Sequence, residues 1–133
     1  MMEERMERLS ITGGTSTPTV EFDPITGVLE IGGESYPENS YEFYSPLITW
    51  LEHFLKRTKV EILFSVTLSY LNTSSTKYMI DILDRFEAAH LGGRSVKVEW
   101  YYDADNERAK DTIEEFKEDF SMPFAVKARG GER

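Results

Sequence analysis

The stretch from Val60 to Tyr70 constrains the fold most. Val60, Ile62, Phe64, Val66, Leu68 and Tyr70 alternate with Glu61, Ser65, Thr67 and Ser69, and Leu63 is the one apolar intruder. Side chains of a strand point alternately to opposite faces, so this pattern describes a strand with one face in a core and one facing water. The central strands of a doubly wound fold are apolar on both faces, and this one is not. Val96, Val98, Trp100 and Tyr102 repeat the pattern against Lys97 and Glu99. Two such strands in one sheet predict helices on one side and an open, polar second side.

The rest of the chain supplies those helices. Pro37-Glu38-Asn39-Ser40 is helix-start chemistry, and Phe43, Leu47, Trp50 and Phe54 follow at helical spacing. Met79, Ile82, Leu83 and Phe86 form the stripe of a second helix, stopped at Gly92-Gly93. Asp103-Ala104-Asp105-Asn106 can cap a third, carrying Ala109, Ile113, Phe116 and Phe120. Phe124, Val126 and Ala128 make a short last strand. Near the start, Val20 and Phe22 pair across Asp23-Pro24-Ile25-Thr26-Gly27 with Val28 or Leu29 and Ile31 as a hairpin, which Gly32-Gly33 closes. The predicted order is β-β-α-β-α-β-α-β: an α/β domain with a mixed sheet, its later strands parallel and joined by right-handed crossovers. Residues 1–15 read as a flexible start, with a charged opening and a Gly/Ser/Thr-rich loop from Ile11 to Thr19. Residues 16–129 read as one domain and 130–133 as a tail.

Composition narrows the function. A chain of 133 residues, 40% hydrophobic, needs no cross-link to hold a core. It has no cysteine, which excludes disulfides, thiolate metal sites and a cysteine nucleophile. A net charge of −9 argues against nucleic acid and anionic membranes as partners, since both repel it. No apolar run reaches the length of a membrane span, and Met1 to Ser10 has no apolar signal core. A cytoplasmic protein without membrane insertion and without a cofactor is expected.

Chemistry concentrates at Tyr70-Leu71-Asn72-Thr73-Ser74-Ser75-Thr76-Lys77, where the best strand ends and a helix opens. Amides at a helix start favour negative charge, so a phosphoryl group on a hydroxyl there would be stabilised. The plain alternative is that these hydroxyls only cap the helix. Ser74 and Ser75 suit that capping role best. Lys77, one turn on, either neutralises a phosphate or is an ordinary solvated residue. Gly33 to Asn39 reads as a loop leading into a helix, with Asn39 or Ser40 as its cap. Asp103 and Asp105 permit a magnesium site, hence a metal-dependent hydrolase, but a short acidic run before a helix is more simply a cap. His53 and His90 sit where helix histidines need no ligand.

Several long motifs then stand out together: Gly33-Glu34-Ser35-Tyr36-Pro37-Glu38-Asn39-Ser40, Tyr70 to Ser75, and Glu87-Ala88-Ala89-His90-Leu91-Gly92-Gly93-Arg94. Trp100-Tyr101-Tyr102-Asp103, Asn106-Glu107-Arg108 and Pro123-Phe124-Ala125 continue the series. In this order, from about Ser16 to Ala128, the chain resembles the SiaC family of bacterial regulatory threonine phosphoproteins. The resemblance implies a fold similar to the anti-sigma-factor antagonists, the STAS class. It implies a non-enzymatic switch: the unphosphorylated form binds a diguanylate cyclase and promotes cyclic di-GMP synthesis, supporting aggregation and biofilm formation. A cognate Ser/Thr kinase and a PP2C-type phosphatase would set its state. The family's phosphorylated threonine follows Asn in Leu-Asn-Thr-Ser-Ser, which is Thr73 here. Asn72, Thr73, Ser74, Ser75 and Lys77, with Tyr36, Glu38 and Asn39, would form the partner surface. An anti-sigma-factor antagonist acting on an anti-sigma kinase is the alternative within the same fold.

Overall fold

The structure is a computed structural model that describes residues 6–130. The expectations for residues 1–5 and 131–133 lie outside the described residues. Nine elements follow one another: β1 (Leu9–Ile11), β2 (Thr19–Phe22), β3 (Val28–Ser35), α1 (Ser40–Arg57), β4 (Ile62–Leu71), α2 (Thr73–Leu91), β5 (Val96–Asp103), α3 (Glu107–Glu118) and β6 (Phe124–Arg129). The strands form one sheet in the order β1-β2-β3-β4-β5-β6. The first two pairings are antiparallel and the last three parallel.

The alternation does what it predicts from Ile62 to Leu68, whereas Val60 precedes the strand and Tyr70, expected on the buried face, is exposed where the strand nears its end. Phe64 and Val66 are buried with Leu29, Ile31, Val98 and Trp100, while Ser65 and Thr67 lie on the other face beside Glu30 and Glu99. Helices cover the apolar face: Trp50 of α1 packs on Phe22, Phe86 of α2 on Phe64, and Phe116 of α3 on Trp100. Among the described residues the polar face carries no helix. Among the described residues no helix is long and apolar enough to cross a membrane.

Two expectations need correction. Leu9–Ile11 is not part of a flexible start: it pairs with β2, Leu9 and Ile11 pack on the core, and the Trp50 indole donates to the Glu7 carbonyl at 2.8 Å. A three-residue strand among charged neighbours offers too short an alternation to read. Nor does Gly32-Gly33 close β3. The strand continues to Ser35, and the register shifts between Gly33 and Glu34. Gly33 has φ 107, and a Cβ on Gly32 would stand 2.2 Å from Thr67 Oγ1, so the glycines make a bulge and a close approach rather than an end. That extension carries Ser35 and Tyr36 to the start of α2.

Candidate functional site

Strands β3 and β4 are parallel neighbours, and each runs into a helix at the same edge of the sheet. Ser35 pairs with Leu71, and the Asn72 amide donates to the Ser35 carbonyl at 2.9 Å. One residue, Asn72, separates β4 from α2. It takes the extended backbone of a cap, and its Oδ1 accepts the Ser75 amide at 2.9 Å. Asn39 does the same for α1, accepting the Glu42 amide at 3.0 Å. Of the two capping candidates there, Asn39 holds the role and Ser40 is the first helical residue.

The two helix starts touch through hydroxyls. Ser40 Oγ and Ser74 Oγ are 2.5 Å apart. Beneath them runs a buried chain: Ser35 Oγ donates to Ser75 Oγ at 2.8 Å and lies 2.6 Å from the Tyr44 hydroxyl. Burial pushes the Tyr44 pKa up, against the opposing pull of Ser35 and Ser75. Tyr44 also stacks on Tyr78 of α2 at 5.6 Å. The chain therefore ties β3, α1 and α2 into one base under the surface.

The three successive hydroxyls of α2 have three different fates. Thr73 is exposed, and its hydroxyl has no hydrogen bond among the described residues. Ser74 is exposed but its hydroxyl is held by Ser40. Ser75 is fully buried. Two expectations are corrected here. Ser75 cannot touch a partner with its side chain, because it faces inward on the stripe that continues to Met79. The Ser74 and Ser75 hydroxyls are not the helix caps either, since Asn72 performs that role.

Around Thr73 the surface is aromatic. Tyr36 and Tyr70 meet edge to face at 5.7 Å, and both are exposed. Tyr41, in the first turn of α1, is 63% exposed, and Ile80, two turns along α2 from Thr73, is also exposed. Glu38, Asn39 and Lys77 are exposed at the same edge. Sequence reasoning overlooked Tyr41 and Ile80. The signal for Ile80 was present: it falls off the stripe of Met79, Ile82, Leu83 and Phe86. Asp103 lies at the end of β5, where its carboxylate accepts the Asp105 amide at 3.1 Å and closes a turn before the Asn106 cap of α3. Among the described residues no cluster of three or more His, Cys, Asp or Glu could hold a metal ion.

The chain as a whole matches known proteins. Residues 11–129 match the SiaC family regulatory phosphoprotein. The chain belongs to the SiaC family. An uncharacterized protein of Pseudomonas aeruginosa (strain UCBPP-PA14) is 49% identical over 92% of this chain and 98% of its own length. The fold is similar to that of SiaC from Pseudomonas aeruginosa in a crystal structure of the diguanylate cyclase SiaD in complex with its activator SiaC. There the TM-score is 0.89 and the identity 49%, over 91% of this chain and 99% of that one. Apo-SiaC from the same organism gives a TM-score of 0.87 and 46% identity, over 92% of this chain and 100% of that one. The mixed sheet and three helices are those of the SiaC structures.

Proposed function

We propose that this SiaC family protein binds and activates a diguanylate cyclase when unphosphorylated, and that phosphorylation of Thr73 releases the cyclase. A cognate Ser/Thr kinase adds the phosphate and a PP2C-type phosphatase removes it. In this reading the chain is not itself an enzyme. It works in the cytoplasm, by changing partners.

One observation carries the choice of Thr73. It is the hydroxyl of the helix start that is both exposed and unbonded, while Ser74 is held by Ser40 and Ser75 is buried. A phosphate there would add about two negative charges beside amides that lack intrahelical acceptors, with Lys77 one turn on. The surrounding Tyr36, Tyr41 and Tyr70 supply the broad aromatic contact area that protein interfaces favour. A dianion in the middle of such a patch must be desolvated when a partner closes over it. A penalty of about 3 kcal/mol lowers affinity more than a hundredfold. The likeness to SiaC, a cyclase activator, supports the same assignment of partner.

Titration of a purified diguanylate cyclase with three forms of the protein tests the reading. Thr73→Ala is expected to bind and activate like the wild type, and Thr73→Glu to bind at least tenfold more weakly. Equal binding by all three forms would remove Thr73 from the switch.

A further inference from the structure

The face of the sheet that the helices leave uncovered has a pattern of its own. Its side chains come from alternate residues of each strand, and the register sorts them into two flanks. On the β2–β3 flank Glu21 and Glu30 stand side by side. Glu21 meets Arg8 and Ser10, whereas Glu30 is exposed and has no ion pair among the described residues. On the β5–β6 flank Lys97 and Lys127 both reach Glu99, at 3.3 Å and 3.2 Å, and Arg129 lies over the Tyr101 ring beside Asp103, so cations are in excess. Between the flanks the floor is Gly32 of β3 with Ser65 and Thr67 of β4. Gly32 lies so close to Thr67 Oγ1 that a side chain there would collide with it. The result is a hollow of about 640 Å³, with Tyr101 and Arg129 as a ridge along one side.

We infer that two copies of this chain pack open face to open face, about a two-fold axis parallel to β4. Strand β4 lies between β3 and β5, with β2 and β6 next on either side. A two-fold along it lays β3 of one copy over β5 of the other, and β2 over β6. Tyr101 of one copy then enters the hollow over Gly32 of the other, and Glu21 and Glu30 meet Lys127 and Lys97. The same contacts repeat across the axis, as an isologous interface requires. An axis perpendicular to the strands would lay β3 on β3 and set acid against acid. Two observations therefore select a second copy as the occupant: the acidic flank complements the basic one, and the ridge complements the hollow. The polarity of the face is no obstacle, because non-obligate interfaces are about as polar as the rest of a protein surface. Strands β3 and β5 are eight residues long. At about 4.8 Å per strand and about 3.3 Å per residue the face offers about 500 Å² from each copy. That total of about 1,000 Å² is the lower bound for a specific interface, so the dimer is weak and reversible. The inference stands apart from the cyclase reading. The axis leaves both Thr73 edges clear of the interface and pointing the same way.

Sedimentation equilibrium of the full-length protein, over a hundredfold range of concentration, tests the dimer. The wild type is expected to follow a monomer–dimer equilibrium. Glu30→Lys is expected to weaken it at least tenfold, and Tyr101→Ala, which removes the ridge, at least fivefold. Glu30 is exposed and makes no ion pair among the described residues, so its variant remains informative if Tyr101→Ala fails to fold. The sign of its effect is diagnostic. The chain carries a net charge of −9, so a change from acid to base relieves the general repulsion between copies and would by itself strengthen association. Glu118→Lys makes the same charge change on α3, away from this face, and is expected not to weaken the dimer. Adding Lys127→Glu to Glu30→Lys restores opposite charges across the axis and is expected to bring the constant back to within threefold of wild type. A chain that stays monomeric at every concentration overturns the inference. A dimer that both Glu30→Lys and Tyr101→Ala leave unchanged overturns it too, because association then runs through another surface. A Glu30→Lys deficit that Lys127→Glu does not repair overturns the pairing of the two flanks.

Discussion

At the scale of single residues, the site is built on hydroxyls that never reach the surface. Ser35 is the middle of the buried chain, bonded to both Tyr44 and Ser75. Removing an end and removing the middle therefore differ. Tyr44→Phe deletes one hydroxyl and leaves Ser35 bonded to Ser75, so it is expected to cost about 1 kcal/mol. Ser35→Ala takes a bond from both Tyr44 and Ser75, and a buried polar group left short of a partner costs about 1–3 kcal/mol, so the loss should be larger. Urea denaturation of the two variants measures the order, and equal losses would mean that the chain is not a connected unit. Little of this was legible in the sequence. The place of Thr73 at the start of a helix was, because Asn-Thr-Ser-Ser follows directly on the alternating strand. The inward turn of Ser75 was partly hidden. It lies four residues before Met79 and extends the buried stripe, but serine does not announce itself as a core residue.

At the scale of elements, two long-range brackets hold the helices in place. The Arg94 guanidinium, just after α2, donates to the carbonyls of Thr58 at 2.7 Å and Val60 at 2.9 Å and lies over the Phe54 ring, gathering the end of α1. Glu87 of α2 accepts the Ser121 amide at 3.0 Å, the Ser121 hydroxyl at 2.6 Å and the Met122 amide at 3.0 Å, fixing the link from α3 to β6. The Ser121 hydroxyl first, then the two amides, hold the Glu87 carboxyl below its usual value. A depressed pKa means stability that is present above the unfolded-state value, about 4.3, and lost as pH falls through the folded one. Glu87→Gln should therefore be less stable than wild type at pH 7, with the gap closing below about pH 4. Denaturation midpoints at pH 7, 5 and 3.5 check this, and a gap at pH 3.5 as wide as at pH 7 would show that charge is not its source. Neither bracket follows from periodicity, which reports only which face of an element is buried. The elements themselves were largely legible. Strands β4 and β5 and all three helices came from spacing alone, because each packs one apolar face. The continuation of β3 through Gly32-Gly33 did not, since glycine marks bulges and ends alike.

At the scale of the whole molecule, the one-sided sheet divides labour. One face is spent on the core, and the edge where β3 and β4 end carries the candidate site. The sheet's two flanks must still be protected from pairing with other chains. On the β6 side, Lys127 and Arg129 are exposed and lie over the Tyr101 ring, which keeps charge at the border. On the other side β1 covers β2, whose Val20 and Phe22 are buried. Met6, Leu9 and Ile11 pack on the core only in part, and full burial of such a side chain contributes about 1.5–3 kcal/mol, so together they should contribute about 3 kcal/mol. A chain lacking residues 1–11 also loses the Glu7 carbonyl that receives the Trp50 indole, and it presents β2 as a bare edge. It is expected to unfold at lower urea by that amount and to elute with higher oligomers in size-exclusion chromatography. An unchanged midpoint and a single unshifted peak would restore the view of this segment as a dispensable start. The distinction matters for the site as well, because Trp50 lies on α1, whose first turn carries Tyr41 and meets Ser74. Loosening the far end of α1 should then reach the partner surface through a helix that is itself intact.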